Sequence, residues 1–233
     1  MPPVSAAPST APRRRKAEQR AEKMEQILDA AEELFSRHGL HGVTLKDVAQ
    51  RVGVHHTLMN YYFDDKKTLF DAVLARRAAV TNVQRTRALD DYEAASAGRP
   101  TVEGALRAFL DTDLDLYIQG GERWKNYAAV VAQVAAAPEW GADLMEQHFD
   151  PVVLRLVEIL RKALPDGSEA DIFWSYQFVT GALMLTLART GRIDKLSRGA
   201  CRSDDFAAVK DRMATFMAAG FLSVCRREGR EQT

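Results

Sequence analysis

Cysteine is nearly absent: the chain has two in 233 residues, Cys201 and Cys225, and neither stands in a C-x-x-C pair or among clustered histidines. A disulfide framework and a structural zinc site are therefore excluded, and reduced thiols in a cytoplasm are expected. His38 and His41 are three residues apart but straddle a glycine turn with no third ligand nearby, so no metal is expected. Long apolar runs are also lacking. No stretch approaches the roughly 20 residues that span a bilayer, and the opening MPPVSAAPSTAPRRRK has no apolar segment before its basic cluster. These absences point to a cytoplasmic protein that does not enter a membrane. A surplus of charge is missing too, with 32 basic residues against 32 acidic ones, so any polyanion site must come from the arrangement of charge. Finally, there is no Gly-rich phosphate loop, no G-x-S-x-G elbow and no H-E-x-x-H pair, which argues against an enzyme and implies no cofactor.

What is present is a helical pattern. Hydrophobic residues make up 46% of the chain, enough for a real core, and neither strand alternation nor an internal repeat appears, so the fold class is all-α. Residues 1–16 read as a tail, Pro/Ala/Ser/Thr-rich at first and ending in the basic run 13–16, which is either a solvated charge run or an arm for phosphates or a minor groove. From Ala17, Met24, Ile27, Leu28, Ala31, Leu34 and Phe35 recur at three- and four-residue intervals until His38-Gly39 stops the helix. Thr44 to Asp47 forms a capping-box-like start to a short second helix, which Gly53 ends. A third helix over 54–63 has Val54, Met59 and Phe63 as core candidates, with Leu58 competing with Met59 for the inward register.

Two short helices joined by a tight glycine turn form the layout that lets a helix enter a major groove about 12 Å wide. The exposed side of the third helix should carry His55, His56, Thr57, Asn60 and Tyr61, with His56 and Asn60 sharing one face. Their chemistry suits base edges: histidine can donate to guanine, asparagine can pair with adenine, and a threonine methyl can meet a thymine methyl.

The run QILDAAEELFSRHGLHGVTLKDVAQRVGVHHTLMNYYFDDKKTLFDAVLARR resembles the DNA-binding head of the tetracycline-repressor-like (TetR) regulators over about residues 24–77. The resemblance implies that Thr44 caps the second helix and touches a phosphate, and that Lys46 reaches a base or the backbone. It implies that His56 and Thr57 read base edges, that Asn60 and Tyr62 touch backbone or bases, and that Lys66 clamps a phosphate. One departure stands out. The family very often has tyrosine at the position of Asn60, whereas here the tyrosines are shifted to 61 and 62, so the division between base and phosphate contacts should differ.

Beyond the head, a fourth helix is expected from about Lys67 into the early nineties, followed by helices at roughly 101–119, 122–137, 140–164, 168–190 and 204–227. Pro151 should kink or divide the segment over 140–164. The domain plan is thus a tail over 1–16, a helix-turn-helix head over 17–66, a helical body over 67–228 and a tail over 229–233. The resemblance places a ligand pocket in the body, and Trp124, Tyr127, Val131, Trp174, Phe178 and Met184 are the candidates to line it.

In the last two long helices, Trp174, Phe178, Gly181, Ala182 and Leu185, together with Phe206, Val209, Met213, Phe216, Met217, Gly220, Phe221 and Val224, are apolar around more than one face. Such helices are either wholly buried in one subunit or, as the resemblance implies, shared with a two-fold mate in a homodimer. The segment DIFWSYQFVTGALMLTLARTG, with FMAAGF later, also resembles the C-terminal domain of TetR-type regulators connected with fatty-acid metabolism, or reflects convergent helix packing. The expected function is a transcriptional regulator, a repressor released from a palindromic double-stranded DNA operator by a small apolar effector. A purely architectural DNA-binding module is the competing reading, and it differs in having no ligand response.

Overall fold

A computed structural model describes the backbone of residues 11–225 and the side chains of 16–225. Among the described residues there are ten α-helices and no strand. They fall into two compact units, Met1–Val73 and Leu74–Thr233. The division lies beyond the expected boundary at 66/67, because the first turns of the fourth helix give Leu69, Phe70 and Val73 to the core of the first unit.

The first unit contains α1 (Ala11–His38), α2 (Leu45–Val52), α3 (His56–Tyr62) and the start of α4 (Lys66–Ala95). Helix α1 begins earlier than the apolar periodicity suggests, because helical backbone runs through a segment with nothing to bury. The expected tail is thus helical from Ala11, while residues 1–10, residues 226–233 and the side chains of 13–15 in the proposed basic arm lie outside what is described. Ile27, Leu28, Ala31 and Phe35 form the buried stripe of α1, and Phe35 meets Phe70 edge-on at 5.0 Å between ring centroids. Helix α2 packs on α1 and α3 packs on α2.

The second unit holds the rest of α4, then α5 (Val102–Gln119), α6 (Gly121–Ala135), α7 (Gly141–Ala163), α8 (Glu169–Leu187), α9 (Arg192–Leu196) and α10 (Phe206–Cys225). Helix α5 lies against α10, α6 and α7, and α8 packs on α6, α7 and α10. Leu106, Leu110, Leu114 and Tyr117 from α5 join Leu156 and Leu160 from α7, Val179 and Leu183 from α8, and Phe206 and Phe221 from α10 among the buried side chains. Each contributes about 1.5–3 kcal/mol by leaving water.

Two details differ from the sequence reading. Helix α9 lies in the stretch read as a connection, and its five residues are too few for a periodic signal. Pro151 does not divide α7, which continues through it as one helix. Proline removes the N–H that would bond the Gln147 carbonyl. One residue along, the His148 carbonyl accepts a hydrogen bond from Asn82 Nδ2, so α4 supplies a donor beside the break.

Candidate nucleic-acid interface

Side-chain caps fix where the short helices of the head begin. The Asp47 N–H donates to Thr44 Oγ1 at 3.2 Å, and Asp47 Oδ2 accepts from the Thr44 N–H at 2.8 Å and from its hydroxyl at 2.7 Å. This full capping box fixes the start of α2, and the donated hydrogen bonds hold the Asp47 carboxyl below its ordinary pKa. It also commits both of Thr44's donors to Asp47. At the other end Gly53 adopts φ 72°, the left-handed conformation of a helix stop, and its N–H returns to the Ala49 and Gln50 carbonyls.

Helix α3 starts with an unusual cap. His55 Nδ1 accepts from the Thr57 N–H at 3.4 Å and lies 2.9 Å from Thr57 Oγ1, so histidine occupies a position usually held by Ser, Thr, Asp or Asn. The Thr57 hydroxyl is thereby engaged with His55, leaving the Thr57 methyl for an outside partner. Met59 is completely buried and Leu58 only half-buried, which settles their competition for the inward position. That register turns His55, His56, Thr57, Asn60 and Tyr61 outward, all exposed, while Tyr62 is half-buried. The His55 and His56 rings lie 4.5 Å apart.

Arg20 was not legible as part of this surface. Its guanidinium lies 5.6 Å from the Tyr61 ring centroid and 5.3 Å from that of Tyr62, so α1 places a cation on the two tyrosines that end α3. The residues are some forty positions apart in sequence, and no spacing rule links them. Lys46 is exposed on α2, whereas Arg51 is bound to Glu33 at 2.7 Å. Lys66 is the first residue of α4, with Nζ 3.5 Å from the His41 carbonyl. Asp65 caps that helix by accepting from the Thr68 N–H at 2.7 Å and from the Thr68 hydroxyl at 2.9 Å. Two lysines, 66 and 67, therefore stand at the positive end of a helix dipole, a place that favours anions.

In the second unit the candidate ligand residues divide. Trp124 and Tyr127 form an edge-on pair at 6.0 Å on α6, with Arg77 4.9 Å from the Trp124 ring, and Tyr127 and Val131 are buried one turn apart. Met184 is half-buried on α8. Trp174 and Phe178 instead face outward, 61% and 58% exposed, their rings 6.1 Å apart. They do not join Tyr127 and Val131 in the interior. Phe206 and Phe221 likewise leave the expected surface of α10, since both lie in the core of the unit.

That interior also holds a charge pair that sequence reading missed. Arg85 of α4 and Asp113 of α5 meet at 2.6 Å, their side chains only 7% and 5% exposed. The Tyr117 hydroxyl donates to Asp113 Oδ2 at 3.2 Å, and the Arg85 guanidinium lies 4.3 Å from the Phe109 ring centroid. Burial pushes the Asp113 carboxyl and the Tyr117 phenol up from their ordinary values, and for Asp113 the neighbouring Arg85 opposes that rise.

Comparison with known proteins agrees with this architecture. The model of "Bacterial regulatory proteins, tetR family" matches residues 27–73, and that of "Tetracyclin repressor-like, C-terminal domain" matches residues 107–220. The transcriptional regulator BetI of Escherichia coli O17:K52:H18 is 27% identical over 139 residues, which span 60% of this chain and 62% of BetI. RutR of Escherichia coli K12 is 44% identical over 52 residues, 22% of this chain and 24% of RutR. The matched stretches thus cover less than two thirds of either relative. A transcriptional regulator from Pseudomonas aeruginosa PAO1 shares the fold with a TM-score of 0.58 at 16% identity, over 90% of this chain and 95% of that one. FadR from Bacillus subtilis, solved with stearoyl-CoA, has a TM-score of 0.52 at 16% identity, over 84% and 98%. The chain belongs to the TetR family of bacterial regulatory proteins. The family and its matched relatives are regulators rather than enzymes, and among the described residues no helix is long and apolar enough to cross a membrane.

Proposed function

We propose that the protein is a homodimeric repressor that reads a palindromic operator through α3 and is released when a small, largely apolar molecule binds in the second unit. The observation that carries this reading is the outward row of His56, Thr57, Asn60 and Tyr61 on a short helix whose inner side is fixed by Met59. A helix of this length reaches only a few base pairs. Specificity therefore calls for two copies on half-sites about 34–36 Å apart. In this division of labour His56 and Asn60 contact base edges, His55 orients Thr57, and Lys46, Tyr62 and Lys66 contact the backbone. Arg20 joins them as a phosphate contact beside the tyrosines. Thr44 serves first as the cap of α2 and reaches a phosphate only by exchanging a bond with Asp47.

Release follows from differential affinity. A ligand that binds better to the body of the free protein than to that of the DNA-bound protein must weaken operator binding, and the operator must weaken the ligand by the same factor. The likeness to FadR concerns the fold and leaves the ligand of this chain open between acyl and other apolar bodies.

The test is a paired titration on selected operator and random duplex. His56→Ala and Asn60→Ala should each cost about 1–3 kcal/mol on the operator and little on random DNA. Lys66→Ala should weaken both similarly and reduce the slope of log K against log salt by about 0.9. Equal losses on both duplexes for His56→Ala and Asn60→Ala would remove base reading from α3.

A further inference from the structure

Two atoms of the buried ion pair have no hydrogen-bond partner among the described residues. They are Asp113 Oδ1, an acceptor, and Arg85 Nε, a donor. Buried polar atoms nearly always find partners, and the cost of leaving them bare is greatest where the surroundings are apolar. Here those surroundings are the Phe109 ring and the aromatic part of Tyr117, with Tyr127 of α6 close enough to act electrostatically on the Tyr117 phenol. Tyr176 of α8, in turn, feels the charge of Arg85. Arg85 of α4 and Asp113 and Tyr117 of α5 thus bring polar side chains to one place inside the unit.

We infer that the Arg85–Asp113 pair is the head-group site for the effector, and that it selects an uncharged molecule whose polar end both donates and accepts a hydrogen bond, an amide or alcohol on an apolar body. This rests on the reading that the second unit binds a small ligand. Because the pair neutralises itself, an added carboxylate would face Asp113 and an added ammonium would face Arg85, each without a counter-charge in a water-poor site. A neutral group faces neither penalty. It can donate to Asp113 Oδ1 and accept from Arg85 Nε while its apolar part lies among the aromatic rings. The same bonding demand excludes a plain hydrocarbon, which would leave both atoms bare.

A matched set of ring probes tests this: benzamide, benzoate, benzylamine and toluene, each titrated at millimolar concentration into the full chain without DNA and followed by protein NMR. The second protein is the double variant Arg85→Met/Asp113→Leu, since apolar replacement of both partners of a buried pair commonly preserves the fold. Benzamide is expected to bind at least tenfold more tightly than the other three and to lose at least tenfold in a double variant that keeps its melting temperature. Should that variant unfold, Arg85→Leu/Asp113→Val, which likewise removes both the donor and the acceptor, takes its place with the same expected loss. Preference for benzoate, benzylamine or toluene overturns the ligand class. Absence of benzamide binding, or unchanged binding in a folded variant, overturns the site. Operator titration is run separately on both proteins. Failure of the wild type to bind any operator counts against the regulator reading alone, and failure of the probes counts against the head-group site alone.

Discussion

Replacing Phe216 with glutamate is expected to convert the protein to monomers and to abolish tight binding to a two-fold symmetric operator. Phe216 is 73% exposed on α10, and Trp174, Phe178 and Leu185 of α8 are 61%, 58% and 68% exposed. Added at Gly181 or Gly220, a Cβ would meet nothing within 4 Å, so the surface beside these rings is open to a close neighbour. Side chains of this size each gain about 1.5–3 kcal/mol on burial, and a two-fold interface uses every residue twice. A clustered apolar surface of this kind marks an interaction site. Glutamate would place two uncompensated carboxylates in the interface. Sedimentation velocity should then show a monomer with helical content unchanged. An intact dimer would move the interface elsewhere. Phe221→Glu is not an equivalent test, because Phe221 is 1% exposed and its loss would damage the core of the subunit.

The second large effect concerns the buried pair. Asp113→Ala should destabilise the protein by about 3–5 kcal/mol, because it leaves the Arg85 guanidinium buried without its counter-charge. That is a large share of the stability of an ordinary domain. Arg85→Met/Asp113→Leu removes both charges and should restore most of the loss. Urea denaturation of the three proteins, compared at equal m-values, measures the difference. A single variant within 1 kcal/mol of wild type, on the order of ordinary surface substitutions, would show that Arg85 escapes to water.

The sequence made local features of the fold legible and long-range ones illegible. The Thr44–Asp47 cap, the Gly53 stop and the outward face of α3 each depend on residues a few positions apart, and each appears where spacing places it. His55 as a cap was missed because histidine is a rare capping residue. Arg20 on Tyr61 and Tyr62, and Arg85 on Asp113, join residues that only tertiary packing brings together. Arg85 in particular reads as one more charge on a solvated helix. Trp174 and Phe178 read equally well as pocket lining or as interface, because an aromatic stripe shows only that something covers it. Their exposure now assigns them to the outside of the subunit. Pro151 does not end α7, and the Asn82 bond to the neighbouring His148 carbonyl is one that only tertiary packing supplies.

The central claim, that the exposed row of α3 reads base sequence, is tested most directly by selecting duplexes from a random DNA pool with the full-length protein and sequencing those retained. The expected result is one enriched, two-fold symmetric sequence with half-sites about 34–36 Å apart, and loss of that enrichment when His56 and Asn60 are both alanine. Retention without enrichment, or the same enriched sequence in the double variant, would contradict it.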